Sequence, residues 1–269
     1  MKNKLLEEFK PETTTIWSFP QRGDWATHNP RYRGNFAPQI PRNVLLEYSQ
    51  EGDLVLDPMV GAGTTLVECR LLHRNAIGMD VNPAAVQLAE SALQFDYETD
   101  SRQEVRLGDV RKLDGIADNS IDLICTHPPY LDLVEYSKGT IEADLSNIAN
   151  PQLFCDQLQI GMREMFRVLK PDHYCAVLIG DTRRGQHYLP LSHMVLIKFL
   201  QTGFALKEDI IKAQHNCVRS ERWKAPSRLF KFYLIMHEHL LVFRKPAEHE
   251  DLSRIRWSMI GKDGKNLIQ

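Results

Sequence analysis

Three short clusters, each pairing an acid with glycine, hold the residues whose types and spacing best fit ligand chemistry. The first is Asp57-Pro58-Met59-Val60-Gly61-Ala62-Gly63-Thr64-Thr65. Two glycines two residues apart permit a tight turn and let a ligand approach the backbone closely. A helix N-terminus behind such a turn favours a negatively charged ligand group. A dinucleotide site needs a third glycine, and Leu66 stands in its place. Asp57 precedes the turn, where it would repel a pyrophosphate. It suits a ligand carrying an ammonium group, such as the methionine part of S-adenosylmethionine. The second cluster is Gly78-Met79-Asp80-Val81-Asn82-Pro83. An acid at the end of a second strand can accept hydrogen bonds from both ribose hydroxyls. The third is Gly108-Asp109-Val110, whose carboxylate could accept from an adenine amino group. Each acid alone is as readily a helix cap or a turn residue. Spread over three successive strand ends, they describe one nucleoside-shaped ligand. Asp57, Pro58, Gly61, Gly63, Thr64, Asp80 and Asp109 are its candidate contacts.

Strands must end where these acids stand. Asp53–Asp57 reads as a short buried strand, followed by a helix over about Thr64–His73. Ala76–Met79 reads as a second strand, and a helix starts at Pro83, since proline suits a first helical turn. Glu104–Leu107 and Ile121–Cys125 are the next strands. Pro151–Leu169 carries apolar residues at helical spacing, with Pro171 just beyond. Tyr174–Ile179, Phe204–Ile211 and Phe232–Phe243 read as strands, and Leu191–Leu200 as a helix stopped by Gly203. This alternation predicts an α/β fold, a doubly wound, mostly parallel seven-stranded sheet with an antiparallel last strand. Ligands bind such sheets at the carboxyl ends of the strands, where every cluster falls. The first forty residues are rich in turn formers (Pro20, Gly23, Pro30, Gly34, Pro38, Pro41) and read as an irregular arm. The expected organisation is an arm over 1–50, a catalytic domain over 51–246 and a tail over 247–269.

A length of 269 residues fits one large α/β domain. Met1 to Pro11 is charged and lacks an apolar core, so no signal peptide is expected there. No apolar run approaches the ~20 residues that span a bilayer. The five cysteines are scattered without a Cys-x-x-Cys pair, which argues against a zinc site or a disulfide framework and for a reducing cytoplasm. The net charge of −2 does not announce a nucleic-acid binder, but basic stretches mixed with aromatics lie at 17–42 and 212–231. Phosphate binding needs only such a local patch.

Thr126-His127-Pro128-Pro129-Tyr130 closes the fourth strand. Together with Asp-Pro-x-x-Gly-x-Gly-Thr-Thr upstream, it resembles the S-adenosylmethionine-dependent amino-methyltransferases that modify adenine N6 or cytosine N4 in DNA. The resemblance covers roughly 14–246, including the flanks Asn35–Asp57 and His237–Lys245, in one of the family's permuted motif orders. It implies a Rossmann-like methyltransferase fold and S-adenosylmethionine as cofactor. An exocyclic amine is a poor nucleophile because its lone pair is delocalised into the ring. Acceptors that hold both amine hydrogens localise that pair toward the methyl donor. Pro129 forces Pro128 out of helical conformation. The Pro128 carbonyl is expected to accept one hydrogen and the His127 side chain the other. Tyr130 is expected to stack on a base swung out of the duplex. His127, Pro128, Pro129 and Tyr130 are thus the candidate catalytic residues. The family usually has Asp, Asn or Ser where His127 stands, which leaves adenine and cytosine both open. A neutral imidazole can accept one hydrogen bond, whereas a protonated one cannot, so activity should fall at low pH. Base C5 methylation needs a cysteine after a proline, and no Pro-Cys occurs.

The basic stretch at 212–231 is the candidate DNA-binding segment, through Arg219, Arg222, Trp223, Lys224 and Arg228. Residues 131–150 form a second insert, too acidic to bind phosphate but placed to help read the target. The segment from Gly23 to Phe36 touches phosphates, closes over the cofactor, or packs on the core as an arm with its arginines in solvent. Arg183 and Arg184 either reach DNA or sit in a charged turn. His237-Glu238-His239 does not read as a zinc motif; its alternate residues share a strand face, and no metal is expected. Duplex DNA with a flipped base is the expected partner, no membrane is implied, and a homodimer is compatible with all of this. Methylation of RNA bases or of protein glutamine is the enzymatic alternative. A module that binds cofactor or DNA without turnover is the other.

Overall fold

The computed structural model describes residues 8–29, 31–32, 34–215 and 218–260, the side chains of 218–221 excepted. In chain order these form β1 (Ile16–Ser18), α1 (Gln39–Tyr48), β2 (Leu54–Asp57), α2 (Thr64–Leu71), β3 (Asn75–Asp80) and α3 (Pro83–Ala92). There follow β4 (Gln103–Leu107), β5 (Ile121–Thr126), α4 (Pro151–Val168), β6 (Leu169–Gly180), β7 (Thr182–Arg184) and β8 (His187–Leu189). The described chain closes with α5 (Leu191–Thr202), β9 (Ala205–Ala213), α6 (Val218–Leu229) and β10 (His237–Arg244).

All strands but β7 and β8 join one sheet in the order β1-β9-β10-β6-β5-β2-β3-β4. β10 runs antiparallel to both neighbours, and every other pair is parallel. This is the expected doubly wound sheet with an antiparallel last strand, widened from seven strands to eight by β1. Side chains alternate between two cores, as a period of two requires. Leu56, Ile124 and Phe243 pack on one face with α4 and α5, while Val55, Leu123 and Val242 pack on the other with α1 and α2. Central β5 is buried along all six residues, as expected for a parallel strand covered on both sides.

The arm is part of this body. In α1, Ile40, Val44 and Leu45 are fully buried. Its prolines hid it in the sequence, but Pro38 is the N-cap and Pro41 lies in the first turn, where a missing N–H removes no helical bond. Glu68, fully buried on α2, draws the arm in. It accepts from Trp25 Nε1 at 2.6 Å and Arg42 at 2.8 Å, and it pairs with His28 Nε2 at 2.6 Å. β7 and β8 form a hairpin over the segment read as a charged turn. Gly185 and Gln186, both at positive φ, make the turn, as two-residue hairpins require. The 212–231 stretch, read as a loop insert, holds the exposed helix α6. No helix among the described residues is long and apolar enough to cross a membrane.

Candidate active site

The turn after β2 is held from both sides. Gly61 (φ 50°) and Gly63 (φ 83°) adopt the left-handed backbone, and a Cβ on Gly63 would meet Ala89 Cα at 3.0 Å. Larger residues would strain the turn and push α3 away. The Asp57 carboxylate, buried beneath the turn, accepts from Thr65 Oγ1 at 2.6 Å, Thr126 Oγ1 at 2.8 Å and the Met59 amide at 3.3 Å. It thereby ties the ends of β2 and β5 to the start of α2. Burial pushes its pKa up to about 6, against the pull of these hydrogen bonds, and the nearby Asp80 carboxylate adds to the rise. Asp80 ends β3 and accepts from the Gly61 amide at 3.1 Å and the Asn82 amide at 2.9 Å. Burial raises its pKa as well, with those amides opposing. Asn82 then caps α3 by accepting from the Ala84 amide at 3.0 Å.

These residues line one side of an open cleft. Asp57, Pro58, Gly61, Asp80 and Asp109 form its walls, with His127 and Pro129 in the same lining. Gly63 and Thr64 stand behind the wall; Thr64 Oγ1 donates to Asn35 Oδ1. Asp109 carries a partner the sequence did not reveal. Arg111 grips both carboxylate oxygens through Nε at 3.0 Å to each and through a terminal nitrogen at 2.7 Å, and it reaches on to the Ala143 carbonyl. Part of the Asp109 carboxylate is therefore spent on securing the 131–150 insert.

The arm and the 131–150 insert complete the cleft. Tyr32, Asn35 and Phe36 enter from the arm, and Tyr136, Asp144 and Leu145 from the insert. Tyr32 and Tyr136 stack at 5.9 Å and 19°, so arm and insert meet over the cleft. Gly34 is required there, because any Cβ would run into the Tyr136 hydroxyl. Asp144 is buried and accepts from the amides of Ser137 (3.1 Å) and Ser146 (2.8 Å). The arm's turn-rich composition carried the hint of a cover, whereas nothing in the sequence singled out Tyr136 or Asp144.

The Thr126–Tyr130 segment leaves β5 at the same edge. His127 packs against Phe36 at 5.3 Å and lies 2.6 Å, through Nε2, from the Tyr130 hydroxyl. Tyr130 donates to Glu238 Oε1 at 2.9 Å, and Lys212 donates to Glu238 Oε2 at 2.8 Å. Burial alone would raise the Glu238 carboxyl, but Lys212 and these hydrogen bonds hold it below its ordinary value. An ionised Glu238 only accepts, so it takes the single Tyr130 proton, and His127 Nε2 must donate to the Tyr130 oxygen. A backbone hydrogen bond with Gly34 also engages the ring and favours its protonated form. Burial pushes the His127 pKa down to about 4, despite the opposing Glu238 charge, so the ring is neutral near pH 7. Pro128 is buried, and Tyr130 lies outside the cleft lining with its ring over Gly180, where a Cβ would come within 2.6 Å of it.

Of the candidate DNA-binding residues, Arg222, Trp223, Lys224 and Arg228 are exposed on α6 and take no part in the cleft lining. The Arg219 side chain lies outside the described residues. Arg183 donates to the carbonyls of Gln186 and Tyr233, and Arg184 pairs with Asp132. Both arginines serve the hairpin and the insert.

The family model described as a methyltransferase domain matches residues 49–220. The one described as DNA methylase matches residues 1–91. The chain belongs to the methyltransferase-domain family, and its resemblance to the DNA amino-methyltransferases is borne out. Type II methyltransferase M.MjaII of Methanocaldococcus jannaschii is 36% identical over 81 residues, covering 30% of this chain and 15% of that protein. A tRNA (guanine(10)-N2)-dimethyltransferase of Methanothermobacter thermautotrophicus is 34% identical over 100 residues, covering 37% of this chain and 29% of that protein. The chain thus spans less than a third of either relative's length. Among solved structures, a SAM-dependent methyltransferase from Methanosarcina mazei superposes with a TM-score of 0.53 at 16% identity, over 76% of this chain and 97% of that one. That likeness bears out the fold. S-adenosylmethionine is the cofactor that family membership implies, and two buried carboxylates facing one cleft suit its positively charged groups.

Proposed function

We propose that this protein transfers a methyl group from S-adenosylmethionine to the exocyclic amine of a base in duplex DNA, at adenine N6 or cytosine N4. The observation that carries the reading is that His127 and Pro129 line the same cleft as Asp57 and Asp80. A target amine and a cofactor would meet there without further rearrangement of the sheet. The match of residues 1–91 to the DNA methylase model supports DNA as the substrate.

The cofactor supplies an electrophilic methyl group on a sulfonium. Asp80 is placed to accept from ribose hydroxyls and Asp57 lies toward the amino-acid end, while Asp109 has a second task in holding Arg111. On the target side, His127 Nδ1 and the Pro128 carbonyl are the acceptors for the two amine hydrogens. Holding both draws the nitrogen lone pair out of conjugation. Tyr130, anchored by Glu238, fixes the His127 tautomer rather than stacking on the base. The amine nitrogen would form its bond to the methyl as the sulfonium–methyl bond breaks, leaving S-adenosylhomocysteine, and one amine proton would pass to water; the chain's part in the rate is then positioning and electrostatics. The exposed basic face of α6 meets the phosphates, and the target base swings out of the duplex to reach the cleft. A cytoplasmic enzyme of a restriction-modification system fits this activity.

The test is transfer of a labelled methyl group to mixed-sequence duplex DNA, with tRNA and protein in parallel, followed by digestion and mass analysis. Label on N6-methyladenine or N4-methylcytosine is expected. A second reading rests on the similarity to the tRNA guanine-N2 enzyme, whose product is also an exocyclic amine. Label on tRNA alone would favour it and overturn the DNA assignment.

A further inference from the structure

β10 opens with His237-Glu238-His239, and its alternation sends these side chains to opposite faces of the sheet. Glu238 turns toward Tyr130. The two histidines turn the other way, where the chain leaves β6 at Asp181. The Asp181 side chain is fully buried. It accepts from the Ser192 amide at 2.7 Å and from the Tyr188 hydroxyl at 2.5 Å.

His239 Nδ1 lies 2.9 Å from Asp209 Oδ1 on β9. A carboxylate can only accept, so Nδ1 donates to it and Nε2 is left facing Asp181 Oδ2, 3.8 Å away and beyond hydrogen-bond length. The Tyr188 hydroxyl is the donor to that same oxygen. The His237 ring stands 5.3 Å from that of His239. One ligand atom each from Asp181, His237 and His239 lies within 4.8 Å of the others. His193 is next to them, its ring 5.7 Å from that of His239. The linear sequence concealed this arrangement because the third ligand comes from a different strand end.

We propose that Asp181, His237 and His239 bind a divalent transition-metal ion of the Zn²⁺ class. Two imidazole nitrogens and one carboxylate form a donor set that Zn²⁺ favours, at ~2.0–2.2 Å. Ligation draws the three atoms inward from their present spread and leaves a fourth position for water or His193. Asp209 is the positioning residue. A histidine ligand is ordinarily oriented by a carboxylate on its other nitrogen, and Asp209 already holds His239 in that way. The ion would clamp the end of β6 to the start of β10, directly behind Glu238. It stands outside the cofactor cleft, so its role is structural.

The test uses the untagged full chain stripped with a chelator, then titrated with Co²⁺ followed by absorption and with Zn²⁺ followed by calorimetry, with Mg²⁺ as control. One Co²⁺ per chain should bind with visible bands of low coordination number, be displaced by Zn²⁺ and not by Mg²⁺, and raise the melting temperature. His237→Ala should weaken Zn²⁺ binding at least tenfold, and Asp209→Asn should weaken it by roughly 10- to 100-fold. S-adenosylmethionine affinity should be unchanged in His237→Ala, which confirms that the variant is folded. No saturable binding by the wild-type chain would overturn the proposal. Binding that survives both His237→Ala and His239→Gln would also overturn it, by placing the ion elsewhere. Neither readout depends on methyl transfer.

Discussion

Asp80, on the cofactor side of the cleft, leans on backbone amides, whereas His127, on the target side, leans on side chains from distant strands. Asp80 is held by the amides of Gly61 and Asn82, and Asp57 by the Met59 amide and two threonine hydroxyls. His127 is held by Tyr130, Tyr130 by Glu238 on β10, and Glu238 by Lys212 on β9. A backbone anchor demands little of its surroundings beyond a turn of the right shape. A relay of side chains must be satisfied at every link, and one altered link changes which nitrogen of His127 carries the proton. On the proposed function, the first half would fix where the cofactor lies and the second how a target is presented.

Five variants would break or sharpen that contrast. Asp80→Ala removes a buried acceptor of two backbone amides, each worth about 1.5–3 kcal/mol as a bond to a charged group. Calorimetry should show cofactor affinity falling by a hundredfold or more. Tyr130→Phe should leave that affinity unchanged and lower kcat by roughly 10- to 100-fold, through loss of the bond that fixes the His127 tautomer. A fall in cofactor affinity in Tyr130→Phe would erase the distinction between the halves.

The two halves should also titrate apart. Asp57 is charged only above about 6 in the ligand-free protein, so cofactor affinity should decline as pH drops through that value. Asp57→Asn should abolish this acid limb. Because burial raises the Asp57 pKa from 3.8 to about 6, stability of the ligand-free fold is lost as pH rises through that window, and the full cost stands above about 6. Asp57→Asn should therefore melt later than wild type at pH 7.5 without ligand. His127 behaves in the opposite sense. Its folded pKa of about 4 lies below the ordinary 6.5. The stability it contributes is complete above about 6.5 and is lost as pH falls toward 4. His127→Asn should remove that low-pH loss in a melting series.

The smallest effect should come from α6. Changing Arg222, Lys224 and Arg228 together to Ala should weaken DNA binding uniformly across sequences. The salt slope should fall by about one for each phosphate that the variant no longer neutralises. kcat at saturating DNA should stay unchanged; a change there would place α6 in the target half.

The sequence showed most clearly what lies close together along the chain. Strand ends at Asp57, Asp80 and Thr126 could be read because an apolar run meets a turn former within a few residues. β1 is only three residues long and pairs with β9 near the far end of the chain, so no local signal marks it. α1 was masked by Pro38 and Pro41, which look like breakers until the helix start is known. Tyr136 and Asp144 enter the cleft only because the insert folds back against the arm. The Glu238 face of β10 gained its role from Tyr130, which no periodicity could indicate. His127 was visible as a departure, but its tautomer depended on partners from two other strands.

The most direct test of a single cleft with two differently built halves is a crystal structure with the product S-adenosylhomocysteine bound. The ligand is expected between the Asp57–Gly61 turn and Asp80, with its sulfur side open toward His127 and Pro129. Density instead in the neighbouring cavity between the arm and α2–α3, lined by Thr27, Asn29, Val67, Leu88 and Ala92, would contradict the assignment. So would a ligand in the main cleft whose sulfur faces away from His127.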